Sequence, residues 1–187
     1  MPKLRALVAI ASASAAGVLG VLPGACAANQ NEEPVAVAAG TASIVSVLDG
    51  DTIVADIAGA KETVRLIGID TPETVSPSRP VECFGAEASA RAKALLPTGT
   101  VVRLERDVEA RDRYDRLLAY VIRDHDDLLV NLLLVEEGYA ESKAFPPNTA
   151  RQDQLDQAEA GARAAERGLW PACGGTNTPV GPVASAP

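Results

Sequence analysis

Residues 41–70, TASIVSVLDGDTIVADIAGAKETVRLIGID, decide the fold. Three β-branched, alternating runs lie within them: Ala42–Leu48, Thr52–Ile57 and Glu62–Ile69. Asp49-Gly50-Asp51 separates the first two and Gly59-Ala60 the second two, both turn signals. Consecutive strands joined by turns this short predict an antiparallel meander.

Downstream, the pattern changes period. Gly85–Leu96 is dense in strong helix formers and Pro97 stops it. Thr100–Glu105 and Leu117–Ile122 read as two further strands, and Leu128–Glu137 starts extended and becomes helical. A last helix is marked by Thr149 and Gln152, spaced as a capping box. Leu155, Ala158, Ala162, Ala165 and Leu169 give it an apolar stripe, and Gly168 fits its C-terminal cap. The pattern predicts a β-rich α+β domain: a five-stranded barrel of the OB-fold type with three α-helices.

Upstream, Lys3 and Arg5 precede an apolar, small-residue run, Ala6–Leu22, and then Pro-Gly-Ala-Cys-Ala-Ala. This is the pattern of an export signal. Cleavage within the small residues gives a free secreted chain. Lipidation of Cys26 gives a membrane-anchored one, although Pro23 stands where a lipobox has an aliphatic residue. The expected organisation is a signal peptide over 1–27, a flexible linker over 28–41, one domain over 42–175 and a disordered Pro/Ser/Ala tail over 176–187, in a monomer. Cys83 and Cys173 then remain as an even pair, and export makes a disulfide the default expectation, with two buried thiols as the alternative. One histidine and no closely spaced cysteines exclude an ordinary zinc site.

Charge constrains function. Setting aside Lys3 and Arg5 leaves 15 of the 17 basic groups against 25 acidic ones, a charge of −10. A chain this acidic does not hold polyanions through its net field, so phosphate binding has to be local.

Three segments concentrate the groups such binding needs: Asp49-Gly50-Asp51-Thr52, Arg65–Glu73 and Asp112-Arg113-Tyr114-Asp115-Arg116. Asp51 and Asp70 end strands that a meander can bring together, and with a backbone carbonyl they make a hard-oxygen cation site. Glu73 follows Pro72 and suits a water-activating carboxylate. Arg65 lies in an otherwise apolar run, where a guanidinium needs an anionic partner. Read singly, each has an ordinary explanation: a hairpin turn, a loop acid, a solvent-facing or turn-flanking arginine. Asp124-His125-Asp126-Asp127 reads as a solvated turn. Together the first three segments supply what metal-assisted phosphodiester hydrolysis requires: a cation site, positive charge for the transition state and an acid for water.

Val47–Thr52, Arg65–Thr74, Phe84–Ala88 and Asp112–Tyr120 resemble, in order and spacing, the motifs of the staphylococcal nuclease family. The resemblance spans about 42–170. It implies an OB-type barrel and Ca²⁺ held by Asp51, Asp70 and the carbonyl of Thr71. It implies Arg65 and Arg116 gripping the scissile phosphate, Glu73 as the base or water-orienting group, and Tyr114 near the 5′-phosphate. It further implies DNA and RNA as substrates, cleaved at the 5′ P–O bond to leave 3′-phosphate ends. The alternative is a non-catalytic OB module that binds nucleic acid or protein. Two departures stand out. Asp115 replaces a family glycine beside Arg116, and only Phe145, Tyr139 and Lys143 lie where family tyrosines stack on the nucleoside. A Cys83–Cys173 bridge would pin the last helix to the barrel.

Overall fold

The computed structural model describes residues 40–74 and 81–180. The expected signal peptide, Cys26, the linker up to residue 39 and residues 181–187 lie outside the described residues.

The meander forms as its turns predict. Strand β1 (Thr41–Asp49) pairs antiparallel with β2 (Thr52–Ile57), and β2 with β3 (Ala60–Leu66). The third run does not continue unbroken to Ile69. Gly68, at φ 79°, breaks it, and Ile69–Asp70 becomes a separate strand, β4. Helix α1 (Gly85–Leu95) leads to β5 (Val101–Glu105) and β6 (Leu117–Arg123). The five long strands close into a barrel in the order β1-β2-β3-β6-β5. β5 returns to β1 through Ala42 opposite Val102, and β6 runs parallel to β3 with Leu118 opposite Arg65. Closure removes the exposed strand edges of an open sheet.

Alternation fills the barrel from every strand. Ile44, Ile53, Ala55, Val64, Leu66, Val102 and Val121 are almost fully buried. Each buried Val, Leu or Ile is worth roughly 1.5–3 kcal/mol. Helices α2 (Val130–Glu136) and α3 (Gln152–Ala164) cover the core with Leu134, Val135 and Leu155. Ala88 and Ala92 turn the small face of α1 inward, which suits close approach to the barrel. Asn131, fully buried in α2, donates to the Ile67 carbonyl at 2.8 Å and accepts from the Val121 N–H at 2.9 Å. That one side chain ties α2 both to the turn before β4 and to β6.

Two local expectations are corrected. Thr149 does not cap α3: Arg151 takes that position, with no side-chain cap bond. Gly168 does not end α3, whose C-terminal cap is Ala165. It opens a fourth, short helix, α4 (Leu169–Cys173), at φ 57°. A Cβ on Gly168 would lie 2.1 Å from the Gly138 carbonyl oxygen, so close backbone packing, not helix capping, requires the glycine. A two-residue strand, β7 (Glu141–Ser142), pairs with β4 and was not legible in the sequence.

Cys83 and Cys173 form a disulfide with a Cα–Cα distance of 5.9 Å across a sequence separation of 90. Closing so long a loop stabilises the fold by about 3–5 kcal/mol on chain-entropy grounds. Thr176–Val180, assigned by composition to the tail, runs as a strap against residues 81–83. The Cys83 N–H donates to the Thr178 carbonyl at 2.8 Å, and Glu82 bridges to Pro179.

Candidate active site

The floor of the site is strand-built. Arg65, opposite Thr52 in the β2–β3 register, is 9% exposed and does not face solvent. Its Nη2 lies 3.0 Å from Asp51 Oδ2 and 3.2 Å from Asp70 Oδ1, and donates to the Ile69 carbonyl at 2.9 Å. Lys143 adds a second cation, its Nζ 2.6 Å from Asp70 Oδ2. Two carboxylates, one from the β1–β2 turn and one from β4, are thus held together by opposite charge, in surroundings where a lone buried carboxylate would be costly.

Thr71 completes the floor. Its N–H donates to Asp51 Oδ2 at 3.1 Å, while its buried Oγ1 has no hydrogen-bond partner among the described residues. A Cβ on Gly50 would stand 2.7 Å from that Oγ1, so the Asp-Gly-Asp turn needs glycine for Thr71 to approach. Two residues further on is Glu73, after Pro72. Its carboxyl meets that of Asp49. Burial pushes the Asp49 carboxyl above the usual range, hydrogen bonds from Thr74 and Gly50 oppose this, and the bond with Glu73 adds to the rise.

The rim is loop-built. Asp112 Oδ1 accepts from the N–H groups of Tyr114 at 2.9 Å and Arg116 at 3.0 Å, and Oδ2 accepts from Arg116 Nε at 2.7 Å. Burial by itself raises the Asp112 carboxyl, but these donors and the Arg116 charge outweigh it and hold the group below the usual range. Tyr114, 64% exposed, lies under the guanidinium groups of Arg113 and Arg116, 4.7 and 5.5 Å from its ring centroid. Opposite, Phe145 faces Arg65 and Lys143 at 5.8 and 5.7 Å.

Floor and rim enclose one cavity of about 1030 Å³. Asp51, Arg65, Asp70, Thr71, Glu73, Tyr114 and Arg116 all line it. The arrangement can offer hard oxygen donors at the floor, fixed positive charge on two sides and a carboxylate between. Among the described residues, no three His, Cys, Asp or Glu side chains could hold a metal ion by themselves. His125 makes only a 3.6 Å contact with Asp126 and is well exposed.

A family model described as Staphylococcal nuclease homologue matches residues 63–172. The chain belongs to the staphylococcal nuclease family. A protein named Thermonuclease from Staphylococcus hyicus is 42% identical over 130 residues, 70% of this chain and 75% of the relative. Another of that name from Staphylococcus intermedius is 45% identical over 66% of this chain and 72% of its own length. Endonuclease YncB of Bacillus subtilis (strain 168) is 40% identical over 66% of this chain and 58% of its own length.

The departures from the family pattern now have positions. Asp115 adopts the left-handed conformation, at φ 65°, that the family glycine would take freely. Its side chain is 87% exposed, sits 3.6 Å from Arg111 and does not line the cavity. Phe145 and Lys143 are at the cavity, whereas Tyr139 stacks on Phe84 at 5.5 Å and does not line it. Sequence reasoning missed Asp112 as the anchor of Arg116, although its i, i+4 spacing was a signal. It also missed Lys143 as the partner of Asp70, for which a separation of 73 residues gave none.

Proposed function

We propose that this chain is an exported, Ca²⁺-dependent nuclease that hydrolyses phosphodiester bonds of DNA and RNA at the 5′ P–O bond, leaving 3′-phosphate ends. The observation that carries the reading is the convergence of Asp51, Asp70, Glu73, Arg65 and Arg116 on one cavity. The names of the thermonuclease and endonuclease relatives support it. The N-terminal pattern supports export, by cleavage or by lipidation at Cys26.

The residues fit a hard cation. Asp51 and Asp70 present carboxylate oxygens, the carbonyl of Thr71 follows Asp70 in sequence, and Thr71 Oγ1 is a buried oxygen without a partner among the described residues. An all-oxygen donor set of this kind suits Ca²⁺. Bound there, the ion supplies positive charge to a phosphoryl oxygen. The protein supplies the rest. Glu73 orients a water and takes its proton as the water oxygen attacks phosphorus, the 5′ P–O bond breaks, and the departing 5′ oxygen takes up a proton from solvent. Arg65 and Arg116 offset the charge that gathers on the phosphoryl oxygens, and Tyr114 borders the 5′ side. Each such preorganised donor is worth roughly 10²–10³ in rate, and a positioned base roughly 10²–10⁴.

The test is digestion of single-stranded DNA by the purified protein with Ca²⁺ or with chelator, alongside Glu73→Gln. We expect cleavage with Ca²⁺, none with chelator, and a loss of about 10²–10⁴-fold in the variant. An intact, disulfide-bonded protein that binds DNA without cutting it would replace this reading with the non-catalytic OB module.

A further inference from the structure

Glu82 is 7% exposed, an unusual place for a carboxylate unless hydrogen-bond donors surround it. Two backbone N–H groups from distant parts of the chain supply them. Glu73 N–H donates to Glu82 Oε2 at 3.0 Å and Asn177 N–H to the same oxygen at 3.1 Å. The N–H of Glu82 in turn donates to the Glu73 carbonyl at 2.9 Å. Both backbone polar groups of Glu73 therefore end on one residue, and that residue is shared with the strap.

The strap is held at three further points. The Cys83–Cys173 disulfide closes its base. Val180 N–H donates to the Val81 carbonyl at 3.2 Å. Glu141 accepts from the Thr176 N–H and hydroxyl, each at 2.7 Å. Glu141 is the β7 residue paired with Asp70 of β4. A continuous run of contacts thus leads from the strand of Asp70, through Glu141, Thr176, Asn177 and Glu82, to the backbone of Glu73. It fixes the loop of the acid relative to the carboxylate floor.

We propose that Glu82 is a positioning residue for Glu73, through which the disulfide-tethered strap sets the aim of the Glu73 carboxylate; this rests on the hydrolytic reading above. Glu82 does not line the cavity. It acts by denying the Glu73 backbone other orientations, and small displacements of a reacting group cost large factors in rate. Because both N–H groups end on Oε2, a glutamine with its amide oxygen in that place keeps both bonds, and alanine keeps neither.

The experiment measures hydrogen exchange at the Glu73 amide together with kcat and KM on single-stranded DNA. It compares the full chain with Glu82→Ala, Glu82→Gln and each of these combined with Glu73→Gln. Exchange at Val64 and Val121 in the barrel serves as an internal control. In Glu82→Ala we expect exchange at Glu73 to be at least about tenfold faster with the barrel unchanged. We expect kcat to fall by about 10–100-fold with KM within about twofold, and Glu82→Gln to restore most of it. On the Glu73→Gln background, Glu82→Ala should cost almost nothing more, since two residues acting as one unit are not additive. Reducing the disulfide of the wild-type chain with dithiothreitol is the second perturbation, needs no variant, and should also speed exchange at Glu73. Unchanged exchange at Glu73 under both perturbations, or an equal kcat loss on both backgrounds, overturns the proposal. A wild-type chain that cuts no DNA defeats the hydrolytic reading alone, and the exchange measurement still decides whether Glu82 clamps Glu73.

Discussion

The floor and the rim of the cavity solve the same problem, fixing an arginine at the cavity wall, by opposite means. Arg65 is fixed by its strand register, two backbone carbonyls and two carboxylates, with its side chain 11% exposed. Arg116 is fixed by Asp112, four residues away in the same turn, with its side chain 31% exposed. The floor is overdetermined by long-range structure, and the rim is a local device. It follows that the floor links function to stability, whereas the rim can fail without unfolding the protein.

The largest effect separates the two directly. Arg65→Ala should lower cleavage by about 10²–10³-fold and also destabilise the fold by about 3–5 kcal/mol, because it strands Asp51 and Asp70. Arg116→Ala should lower cleavage by a similar factor but change stability by less than about 1 kcal/mol. Paired kinetics and urea unfolding read both numbers, and equal stability losses would abolish the distinction.

A smaller effect sharpens the picture of the rim. Asp112→Asn leaves the turn its acceptor but removes the charge that aims Arg116, and should raise KM about tenfold. Its pH signature has a definite sign. The folded Asp112 carboxyl lies below its ordinary range, so its contribution is present above about pH 4 and is lost as pH falls through the depressed value. Wild type should therefore be the more stable of the two at neutral pH, with the gap closing as pH falls through the depressed Asp112 value. Acid-unfolding curves that stay parallel would contradict this.

The smallest effect concerns the departure from the family turn. Asp115→Gly relieves a left-handed residue whose side chain is outside the cavity, and should gain about 0.5–1 kcal/mol with kcat/KM within about twofold. A large rise in activity would show instead that the Asp115 charge reaches the phosphate.

Legibility followed the same division. The strands of the meander, the stop at Pro97 and the first part of the α3 stripe, Leu155 to Ala162, were readable because periodicity and turn chemistry act over a few residues; Ala165 is exposed and Leu169 belongs to α4. The site residues were readable as motifs, and their meeting on one cavity was not derivable from any one of them. The errors were local signals overruled by packing. The Thr149 capping box yields to Arg151, and Gly168 serves the contact with Gly138 instead of ending a helix.

The sequence by itself determined the barrel class, the cysteine pair and which acids and arginines were candidates for the cavity, since these rest on residue type and near-neighbour pattern. Tertiary structure alone decided that Lys143 meets Asp70, that β4 pairs with β7, and that Glu82 joins Glu73 to the strap. Those contacts join residues whose separation in the chain bears no fixed relation to their distance in space. Only closing the barrel and docking the helices brings such groups within hydrogen-bond reach.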